Sequence, residues 1–417
     1  YLTATGRNDW DSRLAFSDYK SFFYPSIGLS AILTSMFNAP DWLTYLKVRG
    51  SYTEVGNSYG RFMTTVTYPY DEQTQSWTST SSYPNTKLKP ERTKSWEVGL
   101  DARILNDISL NLTYYRSNTY NQTFYADLSL SSGYSNIPIQ SGNIMNEGLE
   151  MSLGYNKQWK DFSFNTNYTL TWNKNRVKRL ADGVYNYATG QPIQMPELSP
   201  LTYGHTDARL ILRVGGSMGD VYGQRLLKRD LNGYILNEEG VGLAMENKET
   251  YLGSILPKMN MGWSLGFGYK GVNLGMTFTG RFGGIVISET QSVLDAAGVS
   301  KVSADVRDAG GVQINQSKVS AQTYYQTIQG TAAYYTYSAT NVRLGELSLS
   351  YTLPKKWFDN KVGMTVGLVG KNLWMIYCKA PFDPELTTSA ASNFYQGFDA
   401  YMLPSTRNFG FNVKFQF

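Results

Sequence analysis

The sequence predicts an all-β protein, a transmembrane antiparallel β-barrel. Three observations carry this. Apolar and polar residues alternate in one segment after another, the period-two pattern of strands with one apolar face. The gaps between those segments are short, then long, in turn. The composition is also unusual: charged residues are 17% of 417, against roughly 25% in ordinary soluble domains. Aromatics reach 14%, with 32 Tyr. Mean hydropathy is −0.35, and no run approaches the roughly 18 apolar residues of a membrane helix.

The strands can be taken in order. "YLTATG" opens the chain, followed by "PSIGLSA" and "LKVRGSY", which are joined across "SMFNAPDWLTY". "KSWEVGLDAR" puts Trp96, Val98, Leu100 and Ala102 on one face, and "ISLNLTYY" does the same with Ile108, Leu110, Leu112 and Tyr114. "EGLEMSLGY" presents Leu149, Met151, Leu153 and Tyr155. After "KQWKD", "FSFNTNYTLTW" presents Phe162, Phe164, Tyr168, Leu170 and Trp172. "MNMGWSLGFGY" and "VNLGMTF" flank the turn "KG", and "LSLSYTL" and "KVGMTVGLV" flank "PKKWFDN". The last strand, "FGFNVKFQF", sets Phe409, Phe411, Val413, Phe415 and Phe417 on one side. In "VRLGELSLSY" the apolar register slips between Leu344 and Leu347, which predicts a β-bulge at Gly345–Glu346.

These are about twelve strands. Short turns at 104–107, 156–161, 270–271 and 354–360 interleave with long irregular stretches at 57–92, 121–146, 176–257, 283–341 and 373–404. Short turns on one edge and long loops on the other are the layout of bacterial outer-membrane barrels, the short side being periplasmic. The long loops are then extracellular and the C-terminus periplasmic. The terminal phenylalanines Phe409, Phe411, Phe415 and Phe417 face lipid. They also resemble the signal read by the barrel assembly machinery.

The polar faces include Gly262, Ser264, Gly266, Gly268, Gly275, Thr277, Gly363, Thr365 and Gly367. Such small inward residues either leave a wide bore or ease strand curvature.

Several motifs are set aside. "GFGYKG" satisfies G-x-G-x-x-G but lies in a strand and its turn, with no helix after it, so no dinucleotide is implied. His205 is the single histidine and Cys378 the single cysteine, so no disulfide forms within the chain. "RDLNGYILNEEG" has Asp230 and Asn232 at calcium-ligand spacing, but Ile235 stands where that loop needs glycine. No catalytic residue, cofactor site or metal site is assigned. A net charge of +5 is too mild and scattered to imply nucleic acid.

Several stretches, in this order, resemble the C-terminal part of SusC-like TonB-dependent transporters of Bacteroidota. They are "FFYPSIGLS", "WLTYLKVRGSYTEVGN", "LKPERTKSWEVGLD", "LTYYRSNT", "SGNIMNEGLEMSL", "GGSMGDVYG", "ILPKMNMGWSLGFGYKG", "VRLGELSLSYTLPKKW", "VGKNLW" and "FDPE". Asn341–Val342 departs from the family's usual Phe-Leu before Arg343.

The resemblance implies a 22-stranded barrel with an N-terminal plug. Residues 1–417 would be its C-terminal part, with the plug and about ten strands in a preceding segment. It further implies import of oligosaccharide or peptide substrate, energy from TonB acting through that preceding part, and a SusD-like surface lipoprotein as lid. A dimer of the complex is a further partner the resemblance allows. The alternatives are a single-component siderophore receptor and a passive porin. Candidate substrate or lid contacts are the loop aromatics Tyr68, Trp77, Phe124, Tyr125, Tyr222, Tyr324 and Trp374. Aromatic faces stack on sugars and pack on peptides, and they also tie loops together.

Overall fold

The computed structural model describes the chain apart from residues 141, 181–196, 239–241, 315–316, 360, 387 and 390–392. Those positions fall within the expected loops 121–146, 176–257, 283–341 and 373–404 and the turn 354–360. That part of the sequence reading lies outside the described residues.

Twelve strands form one sheet in chain order. They are β1 (Leu2–Trp10), β2 (Ser21–Ile32), β3 (Leu43–Asn57), β4 (Glu91–Ile104), β5 (Ile108–Tyr120), β6 (Asn143–Trp159), β7 (Phe162–Arg179), β8 (Met259–Tyr269), β9 (Val272–Phe282), β10 (Asn341–Leu353), β11 (Gly363–Cys378) and β12 (Asn408–Gln416). Neighbours pair antiparallel, as in Leu100↔Leu112 of β4 and β5 and Leu368↔Phe411 of β11 and β12. The first two connections, 11–20 and 33–42, are of similar length; from β3 onward long connections follow the odd strands and short ones the even strands.

The short turns have local causes. Lys270 (φ 45) and Gly271 (φ 89) are both left-handed between the paired residues Tyr269 and Val272. That is the two-residue turn whose twist suits a hairpin. A Cβ on Gly271 would lie 2.8 Å from the Thr352 carbonyl oxygen, so glycine is also required by space. Leu105 (φ 51) and Asn106 (φ 61) turn β4 into β5. The turn expected over 156–161 is tighter than that, because β6 runs to Trp159 and β7 begins at Phe162.

The bulge is where the apolar slip put it. Thr277 pairs with Glu346 and Phe278 with Leu344, so Gly345 is the extra residue.

The chain divides into two compact units: Tyr1–Tyr155 with Thr169–Pro200 and Leu212–Met218, and Asn156–Tyr168 with Leu201–Ile211 and Gly219–Phe417. In the first, the apolar face carries Val48, Leu100, Leu112 and Met151 in one cross-strand row. From Trp96 to Ile104 this face runs about 27 Å along the strand. Tilted by about 40°, that run rises about 21 Å and covers most of an apolar band about 25 Å tall. The opposite face is polar. The Arg49 guanidinium donates to Thr113 Oγ1 at 2.6 Å and lies 3.9 Å from the Asp101 carboxylate. Asn111 donates to Asp101.

The second unit keeps its apolar side chains in the open on the strands: Phe409 is 80%, Phe411 73% and Phe417 97% exposed. Its buried residues lie in the connections, in a cluster of Leu227, Leu243, Ile314, Ala321, Tyr325, Ile328 and Tyr335. The glycines of its polar face do not mark open space. A Cβ on Gly266 would meet the Asn165 side chain at 2.5 Å, and one on Gly275 would meet Ser348 Oγ at 2.6 Å. They let neighbouring polar side chains lie flat across the strand.

Candidate functional site

Among the described residues the long connections contain strands, helices and buried clusters, which corrects the expectation of irregular stretches. In the first unit, Tyr70–Asp71 and Ser76–Trp77 pair as a hairpin, with Asp71 accepting from the Gln73 amide at its turn. Thr123–Asp127 and Asn136–Gln140 form a second hairpin. Asn85 donates to the Pro138 carbonyl at 2.9 Å, and Gln140 exchanges hydrogen bonds with the Lys89 backbone, so the two connections hold each other. At the base, Leu14, Phe22, Tyr59 and Leu88 pack together. Asp11 accepts from Arg13 and Ser58. Those hydrogen bonds, Arg13's first, hold the Asp11 carboxyl well below its ordinary value.

In the second unit, Asp220–Leu227 pairs with Met245–Ser254 and with Arg209–Arg213. Helices Glu289–Ala296, Lys301–Asp308 and Ala321–Ile328 are each N-capped by a serine, Ser288, Ser300 and Ser320. Asp207 is the central tie. Its carboxylate accepts from the backbone amides of Gln224 (3.1 Å), Arg225 (2.7 Å) and Ala332 (2.6 Å). Ser288 donates to Asp399 at 2.6 Å inside a short three-stranded sheet. Tyr203 is fully buried, its hydroxyl donates to the Phe394 carbonyl, and burial pushes its pKa far up. Arg343 on β10 grips Asp383 with two hydrogen bonds of 2.7 and 2.9 Å and lies 3.3 Å from Glu385, which pins "FDPE" to the sheet. Burial opposes ionisation of Asp383. Even so, the bonds from Arg343 and from the Glu385 amide hold its carboxyl below the ordinary value.

The candidate aromatics separate by environment. Tyr68 and Trp77 are exposed by 62% and 70%, and Trp77 packs on Tyr70 at 5.1 Å between ring centres. Phe124 is buried, paired with the buried Ile139 of its own hairpin, whereas Tyr125, the next residue along, is exposed. Tyr222 packs on Tyr251, whose hydroxyl donates to Asp220. Tyr324 packs against the buried cluster, so Phe124 and Tyr324 are ties within the loops. Trp374 needs correction. It stands on β11 rather than in a loop, cross-strand from Leu344. Leu344 in turn faces Phe278, so Trp374 belongs to the apolar face. Loop aromatics and loop ties are thus mixed in sequence, and only the pairing of each connection tells them apart.

Asp230 accepts from the amides of Asn232 and Tyr234, so its carboxylate closes a tight turn. His205 is exposed, with its backbone amide on Glu289. Cys378 is half-buried at the end of β11. Among the described residues, no group of three or more His, Cys, Asp or Glu is arranged to hold a metal ion.

A twelve-stranded antiparallel sheet with an apolar face and all long connections on one edge defines an outer-membrane barrel protein. The chain belongs to the TonB dependent receptor-like β-barrel family, whose signature spans residues 1–373. This is a family of transporters and receptors, not enzymes.

Its relatives are Bacteroidota proteins. It is 25% identical over 453 residues to TonB-dependent receptor P3 of Formosa agariphila, covering 99% of this chain and 44% of that protein. It is 27% identical over 154 residues to TonB-dependent receptor SusC of Bacteroides thetaiotaomicron, covering 36% of this chain and 14% of SusC. In fold it is similar to a chain of the RagAB peptide importer in its open-open state, with a TM-score of 0.74 at 20% identity, over 100% of this chain and 45% of that one. The chain thus spans less than half the length of these proteins.

Proposed function

We propose that this chain is the C-terminal part of a TonB-energised outer-membrane importer of glycan oligomers or peptides, closed by a SusD-like lipoprotein. The plug and the remaining strands of a 22-stranded barrel would come from a preceding segment. The observation that carries this reading is the folded edge. Every long connection leaves the same edge of the sheet, and these connections form sheets, helices and buried clusters of their own. Long ordered loops are usually functional. Tyr-rich, charge-poor surfaces of this kind suit a protein interface. The sequence likeness to SusC and the fold likeness to the RagAB peptide importer support the same class. Exposed Tyr68, Tyr125 and Trp77 are then lid or cargo contacts. The long-loop edge is extracellular, and the C-terminus is periplasmic.

The test is purification of the intact receptor from its native membrane in mild detergent. A lipoprotein at one-to-one stoichiometry is expected. A receptor that emerges alone, with uptake undiminished when neighbouring lipoprotein genes are deleted, would return the assignment to a single-component receptor.

A further inference from the structure

The apolar face of the first unit ends in a rim of charge. On β4 the face reads Ala102, Leu100, Val98 and Trp96, then Lys94 and Arg92. On β5 it reads Leu112, Tyr114 and Arg116, and on β3 it reads Val48, Tyr52 and Glu54. The register aligns these rows: Tyr52 faces Trp96, Trp96 faces Arg116, and Arg116 faces Glu147 of β6. Trp96 and Tyr114 pack at 5.3 Å. Immediately beyond these aromatics, Arg92 and Lys94 share one carboxylate, Glu54, at 3.1 and 3.3 Å. Lys174 of β7 lies 3.8 Å from Glu147.

Burial orders the charges. The Glu54 and Glu147 side chains are 11% and 19% exposed, whereas Arg92, Lys94 and Lys174 are 39%, 43% and 52% exposed. The two acids are turned in and the cations outward. With Arg116, four cations stand over two carboxylates.

We propose that this rim binds the phosphate groups of an anionic lipid headgroup. Aromatic side chains on an apolar face mark the level of the membrane interface. Lys94 and Arg92 stand beyond Trp96, and Arg116 stands beside it and one step beyond Tyr114, on stems that can lie along the surface toward the phosphates. Guanidinium and ammonium groups both donate charge-assisted hydrogen bonds to phosphate oxygens. The carboxylates between them space the cations without cancelling them. The inference rests on the membrane location of the apolar face and is independent of any lid or cargo.

The experiment is native mass spectrometry, with phosphorus analysis, of the intact receptor purified from its own membrane. The wild type is compared with the triple variant Lys94→Gln, Arg116→Gln, Lys174→Gln. Retained phosphate-bearing lipid should fall about fivefold or more in the variant. The single variant Arg116→Gln should lose part of it and Arg116→Lys should keep it, which covers the case where the triple variant does not fold. Lys301→Gln, on an exposed helix, should change nothing. Equal lipid retention by wild type and the folded variants overturns the proposal. So does complete displacement of the lipid by inorganic phosphate alone, which would make this a free-anion site.

Discussion

At the scale of single residues, the loops depend on a few buried acids. Asp207 satisfies three backbone amides from two separate segments. Asp207→Ala leaves those donors unpaired and should destabilise the folded connections by on the order of 3 kcal/mol. Hydrogen exchange should show faster exchange at Arg225 and Ala332 while the sheet strands stay protected. Asp383 gives a pH-dependent counterpart. Its folded carboxyl titrates below the ordinary value of 3.8, so its contribution is complete above that value. It is lost as pH falls through the lower folded value. The segment around Asp383 should therefore loosen only under strong acid, and Asp383→Asn should loosen it already at neutral pH and flatten the acid step. These ties were not legible in the sequence. Asp207 looks like any loop aspartate, and Phe16 (φ 66) and Phe62 (φ 61) adopt left-handed backbone with no local signal.

Strands, turns and the bulge were legible, because each is fixed by nearest-neighbour chemistry. Period-two alternation sets the face, Lys270–Gly271 sets a two-residue turn, and the slip at Gly345–Glu346 marks the extra residue. Strand ends were less legible. β6 starts at Asn143 and β11 reaches Cys378, because pairing continues past the clean alternation once a neighbour offers an edge. Trp374 was misplaced for this reason. The connections were the least legible, since much of their structure joins segments far apart in sequence, as where Ile287 pairs with Phe398 and Asp207 accepts from the Ala332 amide. The terminal strand yields an element-scale prediction. Phe411 pairs with Leu368 and Phe415 with Met364 on the exposed apolar face. Replacing both phenylalanines with serine should sharply lower the folded, heat-modifiable receptor recovered from outer membranes, whereas Asn412→Ser on the polar face should not. Equal recovery of the two variants would remove the assembly role given to this face.

For the whole molecule, the sheet, the family and the folded edge converge on an outer-membrane barrel of the TonB dependent receptor-like family. We propose that passage is energised and that its cargo is larger than a passive pore admits. In the proposed importer, gating and energy come from the plug and from TonB acting through it. Uptake of labelled oligosaccharide or peptide pools by cells expressing the intact receptor measures this directly, with and without collapse of the inner-membrane proton gradient. Saturable uptake that disappears when the gradient is collapsed or TonB is deleted is expected. Uptake that continues unchanged under both conditions would contradict it and make the protein a passive channel.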